Sequence, residues 1–193
     1  MSFKLETERL IIRHVDPERD FEAWADCFAD KETMTFIGGG PGMSRAHAWR
    51  HMATVIGHLH IHGYSFMSVI EKATGSWVGR VGPWNPEGWP EPEIGWTIHR
   101  DHWRKGYAKE AGRACIDYVF KDLGWSRVIH TIQDGNVASM RTAEALGSSR
   151  EYSLDGIPAI TDEMCWVYAQ NSCLLYTSPS PRDRTRSRMP SSA

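Results

Sequence analysis

Apolar runs rich in β-branched and aromatic residues recur at 8–14, 64–71, 76–84, 93–99, 125–133, 149–154 and 162–169, each bounded by turn residues. That pattern predicts strands. Four segments between them carry helix signals. Asp16-Pro17-Glu18 supplies a capping aspartate, a proline at the first helical position and acid in the first turn, predicting a helix that ends near Ala29. Ser44 is the expected cap of a second helix, Arg45 to His62, which Gly63 stops. From about Gly106 to Leu123, residues Tyr107, Ala111, Ala114 and Tyr118, with Ala108, Cys115 and Val119, fall on one face at helical spacing. Asn136 opens a fourth helix that Gly147 closes. Lys72-Ala73-Thr74-Gly75 reads as a hairpin turn, and Asn85 to Pro92 as a Pro/Gly loop. The resulting order, βααβββαβαββ without internal repeat, is mixed α/β.

Length and charge narrow this picture. A chain of 193 residues with 41% hydrophobic content suits one well-cored domain, expected over residues 1–171. Residues 172–193 form a Ser/Pro/Arg-rich tail, expected to be disordered or non-native. Arg182, Arg184, Arg186 and Arg188 against Asp183 give that tail +3, leaving −5 on the rest of a chain whose net charge is −2. The tail lacks the periodicity of a folded element and the body lacks a basic stripe, so no nucleic-acid partner is expected. Cys27, Cys115, Cys165 and Cys173 show no C-x-x-C spacing, which argues against a zinc ribbon or redox pair and suits reduced thiols in a cytoplasmic setting. No run approaches the ~18 apolar residues of a membrane span, and the N-terminus has no signal-like apolar core.

Chemistry concentrates at Asp101-His102-Trp103-Arg104-Lys105-Gly106-Tyr107-Ala108-Lys109-Glu110-Ala111, where a basic glycine turn runs from the strand Glu93–His99 into a helix. Backbone N–H groups and the positive end of the helix dipole meet there, an arrangement that holds phosphate. The same glycine also serves plain turn geometry. About 30 residues on, Asn136-Val137-Ala138-Ser139 opens the helix N-V-A-S-M-R-T-A-E-A-L-G. Strand E-I-G-W, turn W-R-K-G-Y-A-K-E-A, strand Arg127 to Gln133 and that helix together resemble the GCN5-related N-acetyltransferase (GNAT) superfamily. The branch they resemble most contains RimJ/RimL-like ribosomal-protein N-terminal acetyltransferases. Two departures stand out: Trp103 replaces the family's glutamine or arginine before the glycine, and Ser148 follows Gly147 where a bulky apolar residue is usual.

The resemblance implies a GNAT fold: a central, mostly antiparallel sheet of six to seven strands flanked by about four helices, with a splayed strand pair. It implies acetyl-CoA as co-substrate and no metal. The backbone of Arg104, Lys105, Gly106, Tyr107 and Ala108 would hold the pyrophosphate, Trp96, Thr97 and Ile98 would line the pantetheine arm, and Asn136 and Ser139 would support it. The acceptor would be a primary amine, on a protein N-terminus or a small molecule such as an amino acid, polyamine or aminoglycoside, attacked directly. A non-enzymatic alternative is an acyl-CoA sensor that keeps the turn and has lost catalysis. A monomer and a homodimer are both compatible with the sequence.

An alkyl ammonium with pKa ~10 must lose a proton before it attacks, so a carboxylate or histidine is needed. Glu93 is the first candidate for that base and His99 the second. Strand alternation puts Glu93, Gly95, Thr97 and His99 on one face and Ile94, Trp96 and Ile98 on the other, the expected core side. For the acid, the tyrosine common in relatives falls at Ala143, and the resemblance to the RimL-like branch implies Ser139 in its place. Capping of the helix by Asn136 and Ser139 explains both residues equally well.

His47, His51, His58 and His62 lie on one stripe about 60° wide at ~100° per residue. The bland expectation is a solvated polar face turned away from Ala48, Met52, Val55, Ile56 and Leu59; the sharp one is a metal site. Trp84, Trp89, Trp96 and Trp103 gather around one hairpin and loop, where the pair at the loop forms either an aromatic wall for the amine or its apolar neighbour, or core and rim packing.

Overall fold

A computed structural model describes residues 3–38, 40–158 and 160–172. The chain forms β1 (Lys4–Glu6), β2 (Leu10–His14), α1 (Pro17–Ala29), α2 (Lys31–Met34), α3 (Arg45–His62), β3 (Met67–Glu71), β4 (Trp77–Trp84) and β5 (Glu93–Ile98). A 3-10 turn (Arg100–His102) leads to α4 (Tyr107–Lys121), β6 (Arg127–Gln133), α5 (Val137–Leu146), β7 (Ser149–Leu154) and β8 (Cys165–Asn171). Eight strands lie in the order β1-β2-β3-β4-β5-β6-β8-β7, and every pair is antiparallel except β5–β6. The architecture is mixed α/β, as expected.

The sheet holds one strand more than the expected six to seven. The extra strand is β1, three residues long and too short to show any periodicity. The single-turn helix α2 escaped for the same reason; its start is fixed by the Asp30 carboxylate, which accepts from Thr33 N at 2.8 Å. The other helix starts are as expected: Asp16 accepts from Glu18 N and Arg19 N, and Ser44 from His47 N. Ser172, the first residue of the expected tail, is buried and donates its N–H to Ser126 O at 2.8 Å. The rest of that tail, residues 173–193, lies outside the described residues.

Helices cover both faces of the sheet. One core joins α4 to the sheet through Ala111, Cys115, Ile116 and Val119 against Val81, Ile94, Ile98 and Val128. The other joins α1 and α3 through Trp24, Phe28, Met52 and Val55 to Phe66 and Trp77. This second layer corrects the expectation that only Ile94, Trp96 and Ile98 face a core, because Glu93 and Thr97, on the opposite face, are buried too. It also corrects the solvated histidine face. His58 is buried, stacks on Trp84 at 4.3 Å and accepts from Asn85 N through Nε2, while His51 packs against Phe28 at 4.5 Å. The reason is angular. At about 100° per residue, Val55 lies only ~60° around the helix from His58, so the two stripes adjoin rather than oppose.

No described helix is long and apolar enough to cross a membrane. Cys27, Cys115 and Cys165 are free and buried, and burial pushes the Cys27 thiol up to about 12. A thiol held neutral in this way is a poor nucleophile.

Candidate active site

The parallel strands β5 and β6 share one registered pair, Glu93 with Ile129. Beyond it they diverge, and side chains replace the missing ladder. His130 Nδ1 lies 2.6 Å from Ile94 O, and because a carbonyl only accepts, Nδ1 carries the proton. His130 Nε2 then accepts from Ser148 Oγ at 3.0 Å, whose oxygen accepts from Gln170 Nε2 at 2.8 Å. Burial pulls His130 down to about 4, so the ring stays neutral and this pattern is fixed. The unusual Ser148 therefore has a use: a bulky apolar residue there would leave His130 Nε2 without a donor.

Glu93 sits at the point of divergence. Its Oε2 accepts from Trp89 Nε1 at 2.6 Å and Thr131 Oγ1 at 2.7 Å, and its Oε1 from Thr131 N at 3.3 Å. Burial raises the carboxyl to about 7, against the pull of those hydrogen bonds and the charge of Arg80. A carboxylate poised near neutrality and held by three donors has the properties of a general base. Next to it Gly95 leaves room for the Phe66 ring, since a Cβ there would lie 2.9 Å from Phe66 Cζ and 3.4 Å from Glu93 Oε1.

The basic turn is more elaborate than a strand running directly into a helix, because the 3-10 turn intervenes. Arg104 has φ +60° and Gly106 φ +79°, so two left-handed residues curl the backbone ahead of α4. Among the described residues no acceptor takes the N–H groups of Arg104, Lys105 or Gly106, and α4 has no side-chain cap. Those of Tyr107 and Ala108 belong to the first turn, where a helix offers no acceptor. Five donors converge there with the helix dipole, which is a fit for a pyrophosphate. Arg9, which the sequence reading passed over, braces the turn: Nη1 donates to Lys105 O at 2.9 Å and Nε to Glu110 Oε2 at 2.7 Å. The Tyr107 hydroxyl is tied to Glu71 rather than to the turn.

Asn136 caps α5 by accepting from Ser139 N at 3.1 Å. Ser139 Oγ accepts from Trp96 Nε1 at 3.3 Å, leaving its own proton free to be donated. Trp96 points to the α4 face and Glu93 to the α1–α3 face, so Ser139 and Glu93 approach the divergence from opposite sides. Thr97 is buried and accepts from Arg80 Nε at 3.4 Å, and Ile98 O accepts from Trp103 Nε1 at 2.7 Å. His99, the second candidate base, caps the 3-10 turn by accepting from Asp101 N at 3.3 Å and is outside the hydrogen bonds around Glu93.

The four tryptophans do not form one wall. Trp84 stacks on His58, Trp89 holds Glu93, Trp96 holds Ser139 and Trp103 closes on its own strand. Phe36, shortly after α2, lies near Gly135, the neighbour of Asn136: its ring is 3.7 Å from where a Gly135 Cβ would stand. No group of three or more metal-ligating side chains occurs among the described residues. Arg80, also passed over in the sequence, is buried on the Glu93 face with its guanidinium 3.8 Å from the Phe66 ring centroid. The available signal was one arginine inside the otherwise apolar W-V-G-R-V-G-P-W.

Comparison with known proteins fits this geometry. The model of the acetyltransferase (GNAT) domain matches residues 9–149. The uncharacterised protein YkkB of Bacillus subtilis (strain 168) is 32% identical over 146 residues, 75% of this chain and 84% of its own. Among solved structures, an acetyltransferase from Agrobacterium tumefaciens str. C58 superposes with TM-score 0.76 at 27% identity, covering 89% of this chain and 96% of that one. A ribosomal-protein-S5-alanine acetyltransferase from Vibrio fischeri shares the fold with TM-score 0.69 at 20% identity, over 88% and 96% of the two chains.

Proposed function

The chain belongs to the GNAT acetyltransferase family, and from that premise we propose that it acetylates a primary amine delivered to the Glu93 face, by direct attack on acetyl-CoA. The observation that carries this reading is the placement of Glu93 at the divergence of β5 and β6, with its carboxyl raised to about 7. Bound acetyl-CoA supplies an activated thioester.

The unpartnered N–H groups of Arg104 to Ala108 hold its pyrophosphate. The unpaired edge of β5 from Trp96 to Ile98 takes the pantetheine arm, and Asn136 keeps α5 in place beside it. Glu93, ionised above about pH 7, removes the ammonium proton of the acceptor, directly or through one water. The freed amine adds to the thioester carbonyl, and as the C–S bond of the tetrahedral intermediate breaks, the Ser139 hydroxyl gives its proton to the departing thiolate and takes one back from the nitrogen, which leaves as a neutral amide. Trp89 and Thr131 keep the Glu93 carboxylate oriented during both steps.

Calorimetric titration with acetyl-CoA, followed by a free-thiol assay across amino acids, polyamines, aminoglycosides and peptides with Ser, Ala or Met N-termini, tests the proposal. Saturable binding with amine-dependent thiol release is expected. Binding without release from any amine would make the chain an acyl-CoA-binding module, and no binding at all would remove both readings.

A further inference from the structure

Three buried polar atoms on the Glu93 face have no partner among the described residues: Arg80 Nη1, Trp24 Nε1 and His51 Nδ1. They are neighbours. The Arg80 guanidinium carbon lies 5.7 Å from the Trp24 ring centroid and 5.1 Å from that of Phe28, and the His51 ring is 5.3 Å from Trp24 and 4.5 Å from Phe28. Trp24 is fully buried and Arg80 is 8% exposed, so water does not freely satisfy these groups. A buried polar atom left without a partner loses its hydration with nothing in return, and three at one place are too many to be incidental.

The charge is unbalanced as well. Among the described residues Arg80 forms no ion pair; its side-chain hydrogen bond goes to Thr97 Oγ1, the Phe66, Phe28 and Trp24 rings lie against it, and the carboxyl that feels its charge, Glu93, does not touch it. Burial pulls its guanidinium down to about 9, still charged at neutral pH, and burial together with Arg80 holds His51 near 2, a neutral ring. A buried cation with aromatic walls and two further neutral groups with free ring nitrogens lacks an anion in direct contact among the described residues. A carboxylate supplies what is missing, since it accepts from the guanidinium, the indole and the imidazole tautomer with Nδ1–H.

The position is suited to a substrate. Arg80 pairs in register with Thr97, and the next pair toward Glu93 on this face is Gly82 with Gly95. Both glycines lack the side chains that would fill the space between guanidinium and carboxyl. The Phe66 ring lies there instead, with Arg80 over its face and Glu93 beside its edge across Gly95.

Resting on the acetyl-transfer reading above, we propose that Arg80, Trp24 and His51 form the subsite for a carboxylate of the acceptor, so that the amine acetylated at Glu93 belongs to a free amino acid. The amino group meets Glu93 while the carboxylate meets Arg80, one aromatic ring away. A neutral peptide carbonyl would occupy the subsite and leave the charge of Arg80 unanswered, so a protein N-terminus is the poorer fit.

Matched acceptor pairs in the free-thiol assay test this: phenylalanine against phenethylamine and phenylalanine amide, methionine against its amide, and an Ala-initiated peptide. In the wild type the carboxylate member should exceed its partners at least tenfold in kcat/KM. Arg80→Met should bring that ratio close to one, and Arg80→Lys should restore part of it. Trp24→Phe, which keeps an aromatic ring but removes the indole N–H together with its five-membered ring, should raise KM for the amino acid several-fold and change kcat little. Loss of the near-ultraviolet circular dichroism of the fold in Arg80→Met would shift the decision to Trp24→Phe and Arg80→Lys. If amines, amides or peptides are acetylated as well as amino acids, or if the ratio survives Arg80→Met, the subsite is wrong and the acetyl-transfer reading stands. If no amine releases thiol, both are wrong.

Discussion

Thr131 Oγ1 donates to Glu93 Oε2 at 2.7 Å, and this bond crosses from β6 to β5 where their backbone ladder stops. One hydroxyl thus ties the two strands together and holds the proposed base. It also stabilises the ionised form of Glu93, opposing the burial that raises its carboxyl to about 7. Thr131→Val removes the hydroxyl at nearly constant volume. The acidic limb of the kcat/KM–pH profile should move to higher pH, with little change in the plateau. An unshifted limb would mean that Glu93 is not the group being titrated.

Glu93→Gln should lower kcat/KM by about 10²–10⁴-fold, the usual worth of a positioned general base. Glutamine still accepts from Trp89 and Thr131, so acetyl-CoA should bind within a few-fold of wild type. The acidic limb should vanish from the residual profile. A variant that retains the limb would place the proton transfer elsewhere.

The same carboxyl makes stability depend on pH. Its folded pKa of about 7 lies above the ordinary 4.5, so the folded state keeps a proton that the unfolded chain releases. Its contribution is fully present below about pH 4.5 and is lost as pH rises through about 7. The neutral histidines His51, half-buried, and His130, buried, act in the opposite sense, costing stability as pH falls below 6.5. Comparing urea midpoints of wild type and Glu93→Gln at pH 5, 6, 7 and 8 isolates the carboxyl. The variant should gain on the wild type as pH rises and level off above 7.

At the basic turn, Gly106 has φ +79°, where an L residue is strained. Gly106→Ala should cost about 1–2 kcal/mol of stability. Because the turn's N–H groups depend on that curl for their direction, the acetyl-CoA Kd should also rise, by more than tenfold. Weakened binding without lost stability, or the reverse, would separate the two roles assigned to this glycine.

The turn was legible in the sequence because its chemistry is local: a glycine, flanking bases and a following helix stand together in the chain. Glu93 was legible as a candidate and its setting was not. Alternation places it on a face, but Phe66, Trp89 and Thr131, which bury it and hold it, come from other segments. Arg80 was missed for a related reason. A lone arginine in a strand carries no motif, and its meaning depends on Trp24 and His51, tens of residues earlier. The histidines of α3 were misread because a helical wheel gives angles and does not say how wide the buried arc is; here it reaches His51 and His58. The strand β1 and helix α2 are shorter than any period that would announce them.

Asp20 supplies a test of what holds α1 against the sheet. It is 1% exposed and accepts from Arg13 at 2.8 and 2.6 Å, from Asp16 N at 2.8 Å and from Ser68 Oγ at 2.6 Å; Ser68 Oγ in turn accepts from Trp77 Nε1 at 3.0 Å. Four donors saturate one carboxylate, so its buried charge is compensated. Asp20→Ala would strand the Arg13 charge, a hydroxyl and a backbone N–H together. The loss should be about 3–5 kcal/mol, the cost of breaking a buried pair by removing one partner. For a chain of this size that corresponds to roughly 6–20 °C in Tm. Arg13→Met combined with Asp20→Ala should recover part of the loss, because the stranded charge goes with it. If the double variant melts no higher than Asp20→Ala, the cost lies in Ser68 and the α1 start rather than in the ion pair. Calorimetric melting of the three proteins separates these contributions.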